Sequence, residues 1–210
     1  MTHISEKHRR KNIRLEGYDY SRPGAYFVTV CTHNRQCLFG NITDGKMVLN
    51  EAGKMILKWT NELENKFPDI KCDNFICMPN HVHFIIINVG ADLRVCPKHN
   101  TVTSVSSKGE HTGSPLPRIV QWFKTMTTNN YIKHVKNNLY PPFQKQLWQR
   151  NYYEHIIRND HELNRIREYI LFNPEQWDMD RENPANIKIP RPPPPSPPIL
   201  AGQGVAGDEI

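Results

Sequence analysis

The chain has 210 residues, is 38% hydrophobic and 10% aromatic, and carries 27 Lys and Arg against 21 Asp and Glu for a net charge of +6. That length suffices to bury one proper core, and the basic excess makes a polyanion a fitting partner without proving one. No apolar run approaches the roughly 20 residues of a membrane helix and the opening MTHISEKHRRKNIRLEGYDY lacks an apolar signal core, so a cytoplasmic protein is expected.

Residues 1–22 form a basic N-terminal arm in which His8, Arg9, Arg10, Lys11 and Arg14 cluster, a composition suited to phosphate contacts or to plain solvation. The segment AYFVTVCT (25–32) is β-branched and aromatic and predicts a buried strand. In CLFGNITDGKMVLN the Asp44-Gly45 pair predicts a tight hairpin. Ala52, Met55, Ile56, Trp59, Leu63 and Phe67 then recur at helical spacing, predicting a helix from 51 to about 66. CDNFIC and HVHFIIIN follow as two strands joined by the turn Met78-Pro79-Asn80. Alternation puts His81, His83, Ile85 and Ile87 on one face and Val82, Phe84 and Ile86 on the other, the signature of a strand covered on both sides.

Residues 89–117 are rich in Ser, Thr, Gly and Pro and are expected to be a polar mobile insertion. Helical spacing returns with Ile119, Trp122, Phe123 and Met126 and runs to about 137, leaving Lys124, Lys133 and Lys136 outside the apolar stripe. A loop, LYPPFQKQLWQRNYYEHIIR, leads to a third helix with Asp160 as its N-cap and Leu163, Ile166 and Ile170 as its core stripe, ended by Asn173-Pro174. Residues 179–210, with RPPPPSPP, are expected to be a disordered proline-rich tail, leaving 23–178 as the folded domain. The order strand, helix, strand, strand, helix is most of an α+β ferredoxin-like antiparallel sheet with helices on both faces, and the C-terminal helix is extra to it.

The most informative segment is MPNHVHFIIIN. Side chains two apart on a strand share a face, so His81 and His83 can reach one metal ion; they can equally be two strand histidines hydrogen-bonded at a sheet end. Two polar rings opening a doubly covered strand need partners, which a metal supplies. Two histidines are an incomplete set, and Mg²⁺ or Mn²⁺ would fill the remainder from another element, water and phosphate oxygens. Tyr169 lies at the edge of the third helix's stripe, where a half-buried packing tyrosine is the plain alternative to a nucleophile. Asn173, four residues on, shares its face and can present an amide oxygen beside it. Glu154 and His155 can orient ligands or serve structure, and Arg150, Arg158 and Arg165 can contact phosphate. GNITDGK (40–46) imitates a P-loop, but Met47 stands where Ser or Thr is required and the segment belongs to a hairpin, so nucleotide hydrolysis is rejected. The five cysteines (Cys31, Cys37, Cys72, Cys77, Cys96) have no CxxC pair, against a disulfide framework and against a zinc cluster.

In IRLEGYDYSRPGAYFVTVCT, MPNHVHFIII, IVQWFKTMTT, LWQRNYYEHIIRN and IREYILFNPEQW, taken in order, the chain resembles the REP-associated tyrosine transposases of the HUH single-tyrosine, single-strand DNA transposase superfamily. The resemblance implies His81 and His83 as catalytic metal ligands, Tyr169 as the nucleophile, and Asn173 as third ligand where related insertion-sequence enzymes carry glutamine. It further implies a divalent Mg or Mn cofactor and a substrate of single-stranded DNA beside hairpin, palindromic repeats. The basic residues Arg9, Arg10, Lys11, Arg14, Lys124, Lys133, Lys136, Arg150 and Arg158 would then contact DNA, and Tyr18, Tyr20, Trp148, Tyr152 and Tyr153 are candidates for base stacking. A monomer is favoured over a dimer. Two alternatives stay open: a domesticated, catalytically inactive hairpin-binding protein, and a replication-initiator or relaxase nuclease sharing the HUH site.

Overall fold

The structure, a computed structural model, describes residues 18–89 and 114–186. Arg9, Arg10, Lys11 and Arg14 of the basic arm, the body of the polar insertion and the proline run all lie outside the described residues.

Strand β1 (Gly24–Cys31) leads into a hairpin of β2 (Gly40–Thr43) and β3 (Lys46–Leu49), then helix α1 (Glu51–Lys66). Strands β4 (Ile70–Cys77) and β5 (His81–Asn88), helix α2 (Leu116–Lys136), strand β6 (Tyr153–Ile157) and helix α3 (Asp160–Phe172) follow. Four of the strands form one sheet in the order β4-β5-β1-β6, every neighbouring pair antiparallel. With α1 joining β1 to β4 and α2 joining β5 to β6, this is the ferredoxin-like plait, an α+β fold.

Strand alternation divides the core into two layers. Tyr26, Val28 and Val30 of β1 and Val82, Phe84 and Ile86 of β5 face α1 and α2, where Ile56, Leu63, Ile119 and Phe123 complete the larger cluster. Phe27, Ile85 and Ile157 face the other way and meet Ile166 and Ile170 of α3. Helices therefore cover both faces, and α3 is the element added to the plait.

Local chemistry explains the parts. The Thr43↔Lys46 pairing brackets Asp44 (φ 51°) and Gly45 (φ 69°), both left-handed, which is what a two-residue hairpin turn demands. The Asn50 side chain accepts from the Gly53 N–H at 2.9 Å and starts α1 where its first apolar residue appears. The cap of α3 is Asn159, whose Oδ1 accepts from the Glu162 N–H at 2.8 Å, rather than Asp160 as expected; Asp160 is the first helical residue and favours the positive end of the helix dipole.

The sequence assigned 139–158 to a loop, yet β6 lies within it and supplies the plait's fourth strand. Only five residues long and interrupted by Glu154 and His155, it carries no clean alternation and owes its conformation to pairing along β1. The polar insertion enters and leaves at one point: Asp69 binds Ser114 Oγ at 3.0 Å, and Asn88 Nδ2 donates to the Ser114 carbonyl at 3.1 Å. That point is the Asn88 end of β5, seven residues along the strand from His81. The folded chain also continues past 178 to Asn186, because Asp180, Glu182 and Asn183 are buried, so the expected boundary at 178 falls inside packed structure.

Candidate active site

His81 and His83 open β5 on the face that α3 covers, opposite Cys31 and Thr29 of β1, and both are buried. The turn before them is pinned by Thr32 N–H donating to the Asn80 carbonyl at 2.8 Å and Met78 N–H donating to the His81 carbonyl at 2.8 Å, so β5 begins at a fixed residue.

The two imidazoles are held by different partners. Asn80, also fully buried, donates through Nδ2 to the carbonyls of Arg35 (3.1 Å) and Glu182 (2.7 Å), which leaves its Oδ1 to accept from His81 Nδ1–H at 2.8 Å. His81 Nε2 is therefore a lone pair directed into the site. His83 Nδ1 meets the Thr29 hydroxyl at 2.8 Å, and the two Nε2 atoms lie 3.0 Å apart. If the hydroxyl donates, His83 Nε2 carries the proton and gives it to His81. If it accepts, the His83 proton sits on Nδ1 and both Nε2 lone pairs converge, as a metal requires. The two states differ in the His83 tautomer, its ring proton moving from Nε2 to Nδ1, together with the turn of the Thr29 hydroxyl.

Burial holds His81 well below an ordinary imidazole, at about 4, against the upward pull of Asp180 and Glu182. His83 is pushed down by burial and then by its neighbour His81. Both rings are therefore neutral, the form that ligates.

Tyr169, on α3, places its hydroxyl 3.4 Å from His83 Nε2, with its ring edge-on to Phe27. It is 39% exposed, so the phenol sits between the histidines and solvent rather than in the core. Burial of the hydroxyl end, and secondarily the Asp180 carboxylate, pushes it up to about 12, so it holds its proton at neutral pH.

Asn173, the residue after α3, is buried with its Oδ1 unpartnered while its Nδ2 donates to Asp180 Oδ2 at 3.3 Å. That carboxylate oxygen lies 3.9 Å from His81 Nε2. His81, His83 and Asp180 offer ligand atoms all within 4.8 Å of one another, and Asn173, whose Nδ2 faces Asp180, keeps an unsatisfied amide oxygen. Two neutral imidazoles and a carboxylate form a donor set that fits a divalent ion of the Mg, Mn or Zn kind. The residues present therefore fit the expected metal, and Asp180 joins the histidines as a third donor that the sequence did not point to.

Asp180 escaped the sequence reading because it lies beyond 178, where the approaching prolines set the assignment; the available signal was the acidic DMDREN ahead of them. Its segment closes over the histidines: the Trp177 ring stands 6.1 Å from His81, Glu182 pairs with Arg35 at 2.8 Å, and Asp180 Oδ1 accepts from Glu182 N–H at 2.6 Å. Thr29, Asn80 and Arg35 also went unread, since neutral strand and turn residues carry no chemical signature until the fold brings them to a ring nitrogen or a carboxylate.

The basic candidates divide. Lys124 donates to the carbonyls of Gln149 (2.7 Å) and Arg150 (3.1 Å) and is lowered to about 8 by burial, so it ties the loop before β6 to α2. Lys133 and Lys136 are exposed on α2, on the sheet face away from the histidines. Arg150 is exposed near the Cys31 end of β1, the site end, whereas Arg158 follows Ile157, which pairs with Ala25 at the other end. Tyr20 and Trp148 are buried in the larger cluster, and Tyr18 and Tyr152 pack against it. Tyr153 is half-buried beside Phe27 with the Arg181 guanidinium 5.3 Å over its ring. His155 pairs with Glu162 at 2.7 Å, serving the start of α3, and the Glu154 carboxylate has no hydrogen-bond partner among the described residues. No helix among the described residues is long and apolar enough to cross a membrane.

No protein-family model matches the chain. It is 36% identical over 176 residues to an uncharacterized protein of Haemophilus influenzae, covering 83% of this chain and 93% of that one. A solved structure of a REP-associated tyrosine transposase bound to a REP hairpin is 18% identical with a TM-score of 0.48, over 77% of this chain and 72% of that chain. A crystal structure of a transposase candidate from Deinococcus radiodurans is 15% identical with a TM-score of 0.41, over 75% of this chain and 95% of that chain. At 36% identity across most of both sequences, the protein belongs to the family of the Haemophilus influenzae chain.

Proposed function

We propose that the protein is a metal-dependent single-strand DNA endonuclease and strand transferase of the REP-associated tyrosine transposase type, acting beside hairpin repeats. One observation carries the reading: a half-exposed phenol from one element stands 3.4 Å from a buried, neutral histidine pair from another. A structural tyrosine would satisfy its hydroxyl in the core or leave it in water. This one ends at the mouth of a donor set.

In the proposed step, the Tyr169 oxygen attacks the scissile phosphorus, the bond from phosphorus to the 3′ oxygen breaks, and a 5′-phosphotyrosine and a free 3′-OH result. The phenolic proton leaves during attack and the departing 3′ oxygen gains one, so the phosphoester is exchanged rather than hydrolysed and rejoining needs no nucleotide energy. A divalent cation held by His81, His83 and Asp180, with the Asn173 oxygen adjacent, would supply positive charge to the phosphate oxygens and ease loss of the phenol's proton. Asn80 and Thr29 fix the imidazoles so that both Nε2 atoms face one point. Trp177 and the Asp180 segment shield that point from bulk water. Arg9, Arg10, Lys11, Arg14, Lys133, Lys136, Arg150 and Arg158 are proposed phosphate contacts, which would make hairpin binding fall steeply with salt.

The test is to incubate the full chain with hairpin-flanked single strands and Mn²⁺. We expect a denaturation-resistant protein–DNA adduct that Tyr169→Phe abolishes while retaining the hairpin gel shift. A gel shift with no cleavage by the unmodified protein would instead show an inactive hairpin-binding module. An undiminished adduct in Tyr169→Phe would remove the tyrosine from the chemistry.

A further inference from the structure

Helix α3 has a weak hold on the sheet. Of its 13 residues only Ile166 and Ile170 are buried, with Leu163 half-buried against the same cluster. A stripe that narrow fixes where the helix lies but resists rotation about its own axis poorly, because apolar contact is non-directional. Ile166, Ile170 and Leu163 point at the sheet, and by helical geometry Arg167 and Tyr169 project from opposite flanks of that stripe. Whatever holds Arg167 sets the direction of Tyr169.

Arg167 is held in a directional way. Its Nε donates to Asp73 Oδ2 at 2.7 Å and its Nη2 to Asp73 Oδ1 at 2.8 Å, two parallel bonds of a planar fork, while Nη1 takes Asn164 Oδ1 at 2.9 Å. Asp73 sits where the edge strand breaks register: Cys72 pairs with Ile86 and Phe75 with Phe84, so β4 carries one residue more than β5 between the pairs. The extra residue lets Cys72 and Phe75 both pack toward α1 and α2 although they are three apart, while Asp73, next to Cys72, lies on the α3 side by strand alternation. Asp73 thus meets the guanidinium from the irregular stretch of an edge strand. At the helix start, Glu162 is fixed by His155 and by the Arg158 N–H at 2.9 Å, so α3 is tied to both outer strands of the sheet.

We infer that the Asp73–Arg167 pair is a positioning clasp: it sets the roll of α3 so that the Tyr169 hydroxyl meets the histidine pair, and it does so without touching substrate. The clasp rests on the reading of Tyr169 as nucleophile for its use, but not for its geometry. Because it is part-exposed, its contribution to global stability is small, and its effect lies in orientation.

The experiment places 3-fluorotyrosine at position 169 and records the ¹⁹F signal of the full chain, alongside the rate of adduct formation at saturating hairpin-flanked DNA and the hairpin Kd. Arg167→Gln and Asp73→Asn are each expected to shift or broaden the ¹⁹F signal and to slow adduct formation by about tenfold or more, with hairpin Kd and melting nearly unchanged. The double variant should be no slower than either single one, and Arg167→Lys, which keeps the charge and loses the fork, should restore little. An unmoved ¹⁹F signal in both variants overturns the clasp. So does slowing by Arg167→Gln with none by Asp73→Asn, which would make Arg167 a DNA contact, or a Kd that weakens as much as the rate. If the unmodified chain forms no adduct while the ¹⁹F signal still moves, the nuclease reading fails and the clasp stands.

Discussion

Asn80 shows how much of the site is settled by single side chains that carry no chemistry themselves. Its amide nitrogen is committed to two carbonyls, so its oxygen has one task, and that task selects the His81 tautomer. Thr29 meets His83 differently, since its hydroxyl can donate to or accept from Nδ1 and so pairs with either tautomer of that ring, the one that shares a proton with His81 and the one that leaves Nε2 free to ligate. Asp180 is the residue whose role the geometry changes most. One of its oxygens is anchored by Glu182 N–H and the other is shared between Asn173 and the approach to His81. Asp180→Asn should therefore weaken Mn²⁺ binding by about tenfold or more in calorimetric titration, in line with losing a charged ligand or its immediate support. Asn173→Ala should weaken it less, because the amide oxygen adds no charge. The reverse ranking would return the third position to Asn173.

At the scale of elements, legibility followed local determination. The Asp44-Gly45 hairpin and the 51–66 helix were readable because a turn of that length needs left-handed residues and because α1 has a long apolar stripe with its cap in sequence. β6 was hidden because five residues with Glu154 and His155 at their centre are a strand only by virtue of β1. The segment after α3 was hidden for a similar reason: a few polar residues ahead of a proline run look like tail until Arg35, Asn80 and His81 are brought to them. The His pair was legible as a pair, yet whether it ligates depended on what lay across from it. The hairpin also has a packing role that its turn alone does not announce. A Cβ on Gly53 in the first turn of α1 would collide with the Phe39 carbonyl and the Leu49 side chain, so the helix can start beside β3 only with glycine there. Gly53→Ala is expected to cost about 1–3 kcal/mol, more than the ordinary helix-propensity gain returns, and to lower the thermal midpoint measurably. An unchanged or raised midpoint would show that α1 does not sit against the hairpin this closely.

Across the whole molecule, the plait separates labour between its faces. One face buries the large apolar cluster under α1 and α2, and the other carries the histidines under a single short helix and the segment that follows it. Placing two imidazoles in that thinner layer has a consequence for stability in the metal-free chain. Both have native values below the ordinary 6.5, His81 at about 4, so the native state binds protons less readily than the unfolded chain. Stability is thus fully present above about pH 6.5 and is lost as pH falls toward the native values, since unfolding then gains protons. Chelator-treated protein should accordingly melt at progressively lower temperature between about pH 6.5 and about pH 4. Acidic side chains add to the loss at the lower end: Glu182 is held down by Arg35 against the opposing effect of its burial. The histidine share can be isolated. Replacing both rings, His81→Gln with His83→Gln, should flatten the upper part of the slope, and saturating Mn²⁺ should move the whole decline to lower pH, because a proton must then displace a ligated ion. A slope that neither the double variant nor Mn²⁺ alters would mean that the two rings are not the neutral, converging pair that the buried geometry describes.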